Sequence, residues 1–212
     1  MAKKAFMSIS PFRVNVNPKA VLENLTVGSN RAMTQKIRRF IEPQIDKKQE
    51  LLVKQFKTHP ITVEIDGGPL ARNSSGTLGG YGNLFSFIGF SSGSSPTAII
   101  KKIFSEKIKF RVNRVNRMGK YKVTCFIPTL EEIYGLTPLP WASGKSWVDG
   151  VEKGMSNLGS FLYSPSGFGS SSSGTGIQVK GKRGGSSVNF QNTPYVAKLL
   201  ENFKRRLRNI KL

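Results

Sequence analysis

The stretch from Lys107 to Ile127, KIKFRVNRVNRMGKYKVTCFI, carries the clearest secondary-structure signal in the chain. Ile108, Phe110 and Val112 alternate with Lys109, Arg111 and Asn113. After the turn Arg117-Met118-Gly119, the returning segment offers Tyr121, Val123 and Cys125 on one parity. A period of two, broken by a glycine-containing turn, is the pattern of an antiparallel hairpin with one apolar and one solvated face. The solvated face is strongly basic. Around this hairpin the sequence is helical in pattern, so the fold class it implies is α+β.

Upstream, Ser29 or Asn30 can cap a helix running to about Thr58. Met33, Ile37, Phe40, Ile41, Ile45, Leu52 and Phe56 recur near every 3.6 residues. Pro43 removes a backbone donor and predicts a kink or restart within it. Residues 1–29, with Pro11 and Pro18, read as an extended arm with a short helix at Ala20–Leu25. Thr62–Asp66 (TVEID) alternates like a short strand, and Leu84–Phe90 (LFSFIGF) reads as a buried one. Gly67 to Gly82 reads as a loop between them, and Pro96 starts a short helix ending at Phe104.

Downstream, Leu130–Tyr134 suggests a helical turn. Ser146–Leu162 has the stripe Trp147, Val151, Met155, Leu158 and Leu162 of a longer helix. Gly150 and Gly154 sit four apart on it. Each costs about 1 kcal/mol relative to alanine in a helix interior, which implies a close packing contact in return. Ten of the thirteen residues 164–176 are Ser or Gly, a linker composition. Ile177–Phe190 reads as a basic hairpin or arm carrying Lys180, Lys182 and Arg183. Thr193-Pro194 opens a final helix with Val196, Leu199, Leu200, Phe203, Leu207 and Ile210 on one face. The organisation expected is an N-terminal arm (1–29), an α+β core (30–163) with the long helix packed on a small sheet, a Gly/Ser loop and basic arm (164–192), and a basic amphipathic helix (193–212).

Charge gives the chain its character. Its 212 residues hold 33 Lys+Arg against 12 Asp+Glu, a formal net charge of +21. Surfaces charged for solubility alone carry a net of about 2–8 in a small domain. The excess is also concentrated. Residues 1–60, 101–127 and 164–212 each carry +8, whereas 61–100 and 128–163 carry −1 and −2. Three basic blocks imply a polyanion or an acidic partner surface. The hydrophobic fraction of 38%, with 22 glycines added, reaches about 48%, enough for a core.

The same inventory argues against an enzyme. One Cys excludes an internal disulfide and cysteine-based metal clusters, and one His leaves any triad to His59 alone. Gly144-Lys145-Ser146 ends like a phosphate-binding loop, but Leu139 stands where its first glycine belongs. Gly80-Tyr81-Gly82 opens like a dinucleotide fingerprint that Phe85 does not complete. Glu131-Glu132 suits a helix start, Glu64 and Asp66 a solvated strand edge, Cys125 a core position and His59 an element boundary. No cofactor is expected. The start MAKKAFMSIS lacks the apolar run of a signal peptide, and no membrane span is apparent. These features suggest a soluble protein of a reducing compartment.

The candidate contacts are therefore basic and aromatic. Lys107, Lys109, Arg111, Arg114, Arg117, Lys120 and Lys122 line the hairpin face and tip. Lys180, Lys182 and Arg183, then Lys204, Arg205, Arg206 and Arg208, extend the set. Trp141, Trp147, Gly150, Gly154, Leu200 and Phe203 are candidates for subunit packing. The C-terminal stripe suits the protein's own core or a subunit contact. Binding to nucleic acid through such cations would be to its backbone and would weaken with salt.

One order of segments is familiar. A long amphipathic helix precedes Gly82-Asn83-Leu84-Phe85-Ser86-Phe87-Ile88, then comes the basic hairpin, then Leu139-Pro140-Trp141 and the helix of Ser146 to Gly154. Over about residues 30–163 this resembles the head–tail joining and tail-completion (neck) proteins of tailed bacteriophages. The resemblance implies a non-enzymatic structural virion protein in a homo-oligomeric ring between head and tail. Its neighbours would be other virion proteins on the portal/connector or tail-tube side, with non-specific contact to packaged DNA. Its location would be the virion neck, after assembly in the host cytoplasm. The alternative from the residues alone is a non-sequence-specific nucleic-acid-binding protein acting through the hairpin and the C-terminal helix.

Overall fold

Ser10–Asn15 is the first strand, β1, and the long helix α1 follows at Asn30–Lys57. Next come α2 (Pro60–Asp66), a 3-10 turn (Gly68–Leu70), α3 (Leu84–Ile88) and α4 (Ala98–Glu106). The hairpin is β2 (Lys109–Arg114) and β3 (Tyr121–Ile127), followed by α5 (Leu130–Gly135), β4 (Pro138–Leu139), β5 (Ala142–Ser146) and α6 (Trp147–Lys153). Two short strands, β6 (Phe161–Leu162) and β7 (Ile177–Gln178), precede α7 (Val196–Arg208). This computed structural model describes residues 10–15, 30–78, 82–106, 108–114, 121–140, 142–154, 161–162, 177–178 and 191–210. The class is α+β, with a long N-terminal helix and small antiparallel sheets.

The chain forms two units. One comprises Met1–Lys54, Lys102–Thr129 and Leu199–Leu212; the other comprises Gln55–Lys101 and Leu130–Lys198. The first is built on the sheet β1-β3-β2, all antiparallel. In β3 every second residue is buried: Tyr121, Val123, Cys125 and Ile127. Phe110 and Val112 of β2 stand opposite Cys125 and Val123, which completes the apolar face expected of the hairpin. α1 buries Ile37, Ile41 and Ile45, and its Arg38 guanidinium lies 5.5 Å from the ring centroid of Phe110 on β2. Gln49 Nε2 donates to the carbonyls of Phe104 and Ser105 at 2.8 and 2.7 Å, which ties α1 to the end of α4. Pro43 lies inside α1, which runs on without a restart.

Part of the expected N-terminal arm is a strand. Ser10–Asn15 pairs with β3 in register from Ser10↔Ile127 to Asn15↔Lys122, so β3 is central and β2 an edge. The expected helix at Ala20–Leu25 and the Gly/Ser linker of 164–176 lie outside the described residues.

The second unit is helical where strands were expected. Thr62–Asp66 belongs to α2, because His59 caps it, its Nδ1 accepting from Ile61 N at 3.3 Å, and Pro60 occupies the first turn. Both features start helices. The buried residues are Ile61, Thr62, Glu64 and Ile65, a helical spacing that the alternation of Thr62, Glu64 and Asp66 had obscured. Leu84–Ile88 is likewise a helix and not a buried strand. Asn83 Oδ1 accepts from Ser86 N at 2.9 Å, and Gly89, at φ 85°, closes the other end with bonds to Phe85 O and Ser86 O. A five-residue apolar run has no period of its own, so these two caps decide it.

A third correction concerns the helix expected over Ser146–Leu162. It stops at Lys153, where Gly154 adopts φ 90°, a conformation that L side chains rarely take. A Cβ there would also sit 3.0 Å from Asn192 Oδ1. Gly154 is thus a terminator and not one half of a helical small-residue pair. Phe161–Leu162 pairs instead with Ile177–Gln178 as a two-stranded ribbon. The core of this unit holds Phe56, Phe85, Phe90, Trp147 and Tyr195, with Trp147 edge-on to Phe90 at 5.7 Å. α7 buries Val196, Leu199, Leu200, Phe203 and Leu207 of the expected stripe, and Ile210 beyond its end is half-buried.

Candidate polyanion-binding face

The face of the sheet opposite the core is built by strand parity. Lys109 stands opposite Phe126, Arg111 opposite Thr124 and Asn113 opposite Lys122. Lys109, Arg111 and Asn113 are exposed, and Lys122, Thr124 and Phe126 are half-buried on the central strand. The Arg111 guanidinium lies over the Phe126 ring, 5.9 Å from its centroid. Such a placement draws the cation to the ring face and fixes a long side chain that would otherwise wander. Among the described residues, Lys109, Arg111 and Lys122 have no carboxylate partner.

Of the other sequence candidates, Arg114 stands opposite Tyr121, on the parity of Phe110 and Val112, so it borders the apolar face and not the basic one. Arg205 and Arg208 are exposed on α7, with Lys204 and Arg206 half-buried, and Arg205 donates to Asn202 Oδ1 at 3.0 Å. Lys107, Arg117, Lys120, Lys180, Lys182 and Arg183 lie outside the described residues, as does Trp141. Of the residues expected at a subunit contact, three are buried within the chain. Trp147, Leu200 and Phe203 are 1%, 3% and 0% exposed, so their apolar surface is used inside this chain. Gly150 is buried in α6 and Gly154 caps it. Phe126 was missed as a site residue, although its alternation with Lys122 and Thr124 was visible in the sequence.

The groups weighed for catalysis have structural partners. Glu64 is fully buried and accepts from Ser75 N at 2.8 Å and Leu84 N at 2.7 Å, so it holds both ends of the 75–84 connection and is not on a solvated edge. The Thr97 hydroxyl donates to Asp66. Burial pushes the Cys125 thiol up from 9.0 to about 11, which suppresses the nucleophilic thiolate at neutral pH. Tyr134 donates to Glu152 Oε2 at 2.8 Å, and burial together with that carboxylate raises its phenol above the ordinary range. The other Glu152 oxygen accepts from Tyr195 N and Ala197 N, at 3.2 and 2.7 Å, and so caps α7.

A cleft of about 450 Å³ lies beside Gly144-Lys145-Ser146. There the Ser146 hydroxyl already accepts from Val148 N and Asp149 N and shares a 2.8 Å bond with Thr137 Oγ1. The segment is therefore a helix cap, and a phosphate would have to displace it. Among the described residues no group of three or more His, Cys, Asp or Glu side chains is placed to hold a metal ion. Among them, too, no helix is long and apolar enough to cross a membrane. No protein family, curated protein or solved structure matches the chain.

Proposed function

We propose that this protein is a structural component of a tailed-bacteriophage virion, a neck or tail-completion subunit that works by contact and not by catalysis. The observation that carries the reading is the sheet face of Lys109, Arg111 and Lys122, which have no carboxylate partner among the described residues. The order of elements supports it: long helix, Gly82-Asn83-Leu84 segment, basic hairpin, then the Leu139-Pro140-Trp141 stretch leading into α6. In that setting the ring subunit meets the portal/connector or tail-tube side, and the cations meet acidic protein rims or packaged DNA. Mass spectrometry and imaging of purified particles test this. The protein should be present at a fixed copy number in the neck, and its absence from particles sinks the reading.

A second reading, non-sequence-specific nucleic-acid binding, is favoured by one observation of its own. Arg111 lies over Phe126 on the basic face, a pair suited to nucleobases as well as to phosphates.

A further inference from the structure

We infer that the outer face of the sheet β1-β3-β2 is a platform for single-stranded nucleic acid, with Phe126 and Arg111 as its stacking pair. The inference deepens the second reading above and is independent of the virion reading.

Three register rows define the platform. Pro11, Phe126 and Lys109 form one, Arg13, Thr124 and Arg111 the next, and Asn15, Lys122 and Asn113 the third. Of the six described side chains in these rows, Lys109, Arg111 and Lys122 are basic and none is acidic, which suits a phosphate chain crossing the rows. Among the side chains described, Phe126 is the aromatic one. It sits on the central strand, half-exposed beneath Arg111. A nucleobase can enter this layer because every base presents a π-face to an aromatic ring or a guanidinium plane. Lys109 and Lys122 lie one row either side of the Arg111 row, where they can neutralise the flanking backbone.

Geometry favours a single strand over a duplex. A duplex keeps its π-faces stacked on one another and away from Phe126. An unpaired strand can splay its bases onto the sheet.

Fluorescence anisotropy of the full-length protein with 15-nucleotide oligothymidylate, oligouridylate and a blunt duplex of equal length tests the inference. Tighter binding of either single strand than of the duplex, by about tenfold in 0.15 M NaCl, is expected, and the two oligomers tell DNA from RNA. Phe126→Leu keeps the apolar volume but removes the ring, and should weaken single-strand binding at least about fivefold. Phe126→Tyr should restore it, which separates stacking from folding. The combined Lys109→Ser, Arg111→Ser and Lys122→Ser variant should lose about two units of the log–log salt slope. Duplex binding equal to or tighter than single-strand binding, or a Phe126→Leu variant that binds like the wild type, overturns the inference. Failure here leaves membership of a particle untouched, and absence from particles leaves the binding result untouched.

Discussion

At His59 the ring nitrogen Nδ1 accepts from the Ile61 amide while the imidazole lies 4.8 Å from the Tyr195 ring centroid. Only the neutral ring with a bare Nδ1 can act as this cap. Burial lowers the His59 pKa below 6.5, against the opposing effect of a hydrogen bond to the Pro194 carbonyl. A base whose folded pKa is depressed contributes stability above its unfolded pKa, and that stability is lost as pH falls through the folded value. Thermal unfolding should therefore be level from pH 8 to 7 and decline below about 6.5. The loss should approach the value of a helix cap, about 1 kcal/mol. His59→Asn, which keeps a capping acceptor but does not titrate, should remove the His59 part of that decline. Glu64 makes a second residue-scale prediction. Glu64→Ala orphans the Ser75 and Leu84 amides and should cost about 3 kcal/mol in urea unfolding, with Glu64→Gln milder.

At the scale of elements, the hairpin was legible because period two persisted through two adjacent strands and the charge followed it. α1 and α7 were legible because their apolar stripes ran for several turns. Thr62–Asp66 and Leu84–Ile88 were not, since seven- and five-residue helices give periodicity too little length to speak. Their identity lies in the caps His59, Asn83 and Gly89. The candidate site is partly legible: strand parity puts Lys109, Arg111 and Lys122 on one face together with Phe126, whereas Arg114 stands opposite Tyr121 on the other parity. The hairpin carries its own prediction. Changing Lys109, Arg111 and Lys122 together to Ser removes exposed or half-exposed charge and should leave circular dichroism and the melting midpoint nearly unchanged, while particle assembly or DNA retention falls. Normal particles from that variant would contradict the role given to this face.

For the whole molecule, a net charge of +21 on 212 residues opposes self-association until a counter-charge is present. Sedimentation of the isolated protein at low salt should give a monomer or a mixture of small species, with no single closed ring. Addition of a polyanion should drive association, and raising the salt should reverse it. A stable ring in the absence of any anion would count against a charge-governed assembly.

The sequence alone determined the class, the three basic blocks, the hairpin and the apolar faces of the two longest helices, because these depend on composition and on periods repeated over many residues. Tertiary structure decided the rest. It recruited Ser10–Asn15 as a strand beside β3, made capped helices of two short strand-like segments, and buried Trp147, Leu200 and Phe203 within the chain. It also set Arg111 above Phe126. Each of these depends on partners distant in the sequence or on a single cap or terminal backbone angle, and periodicity records neither.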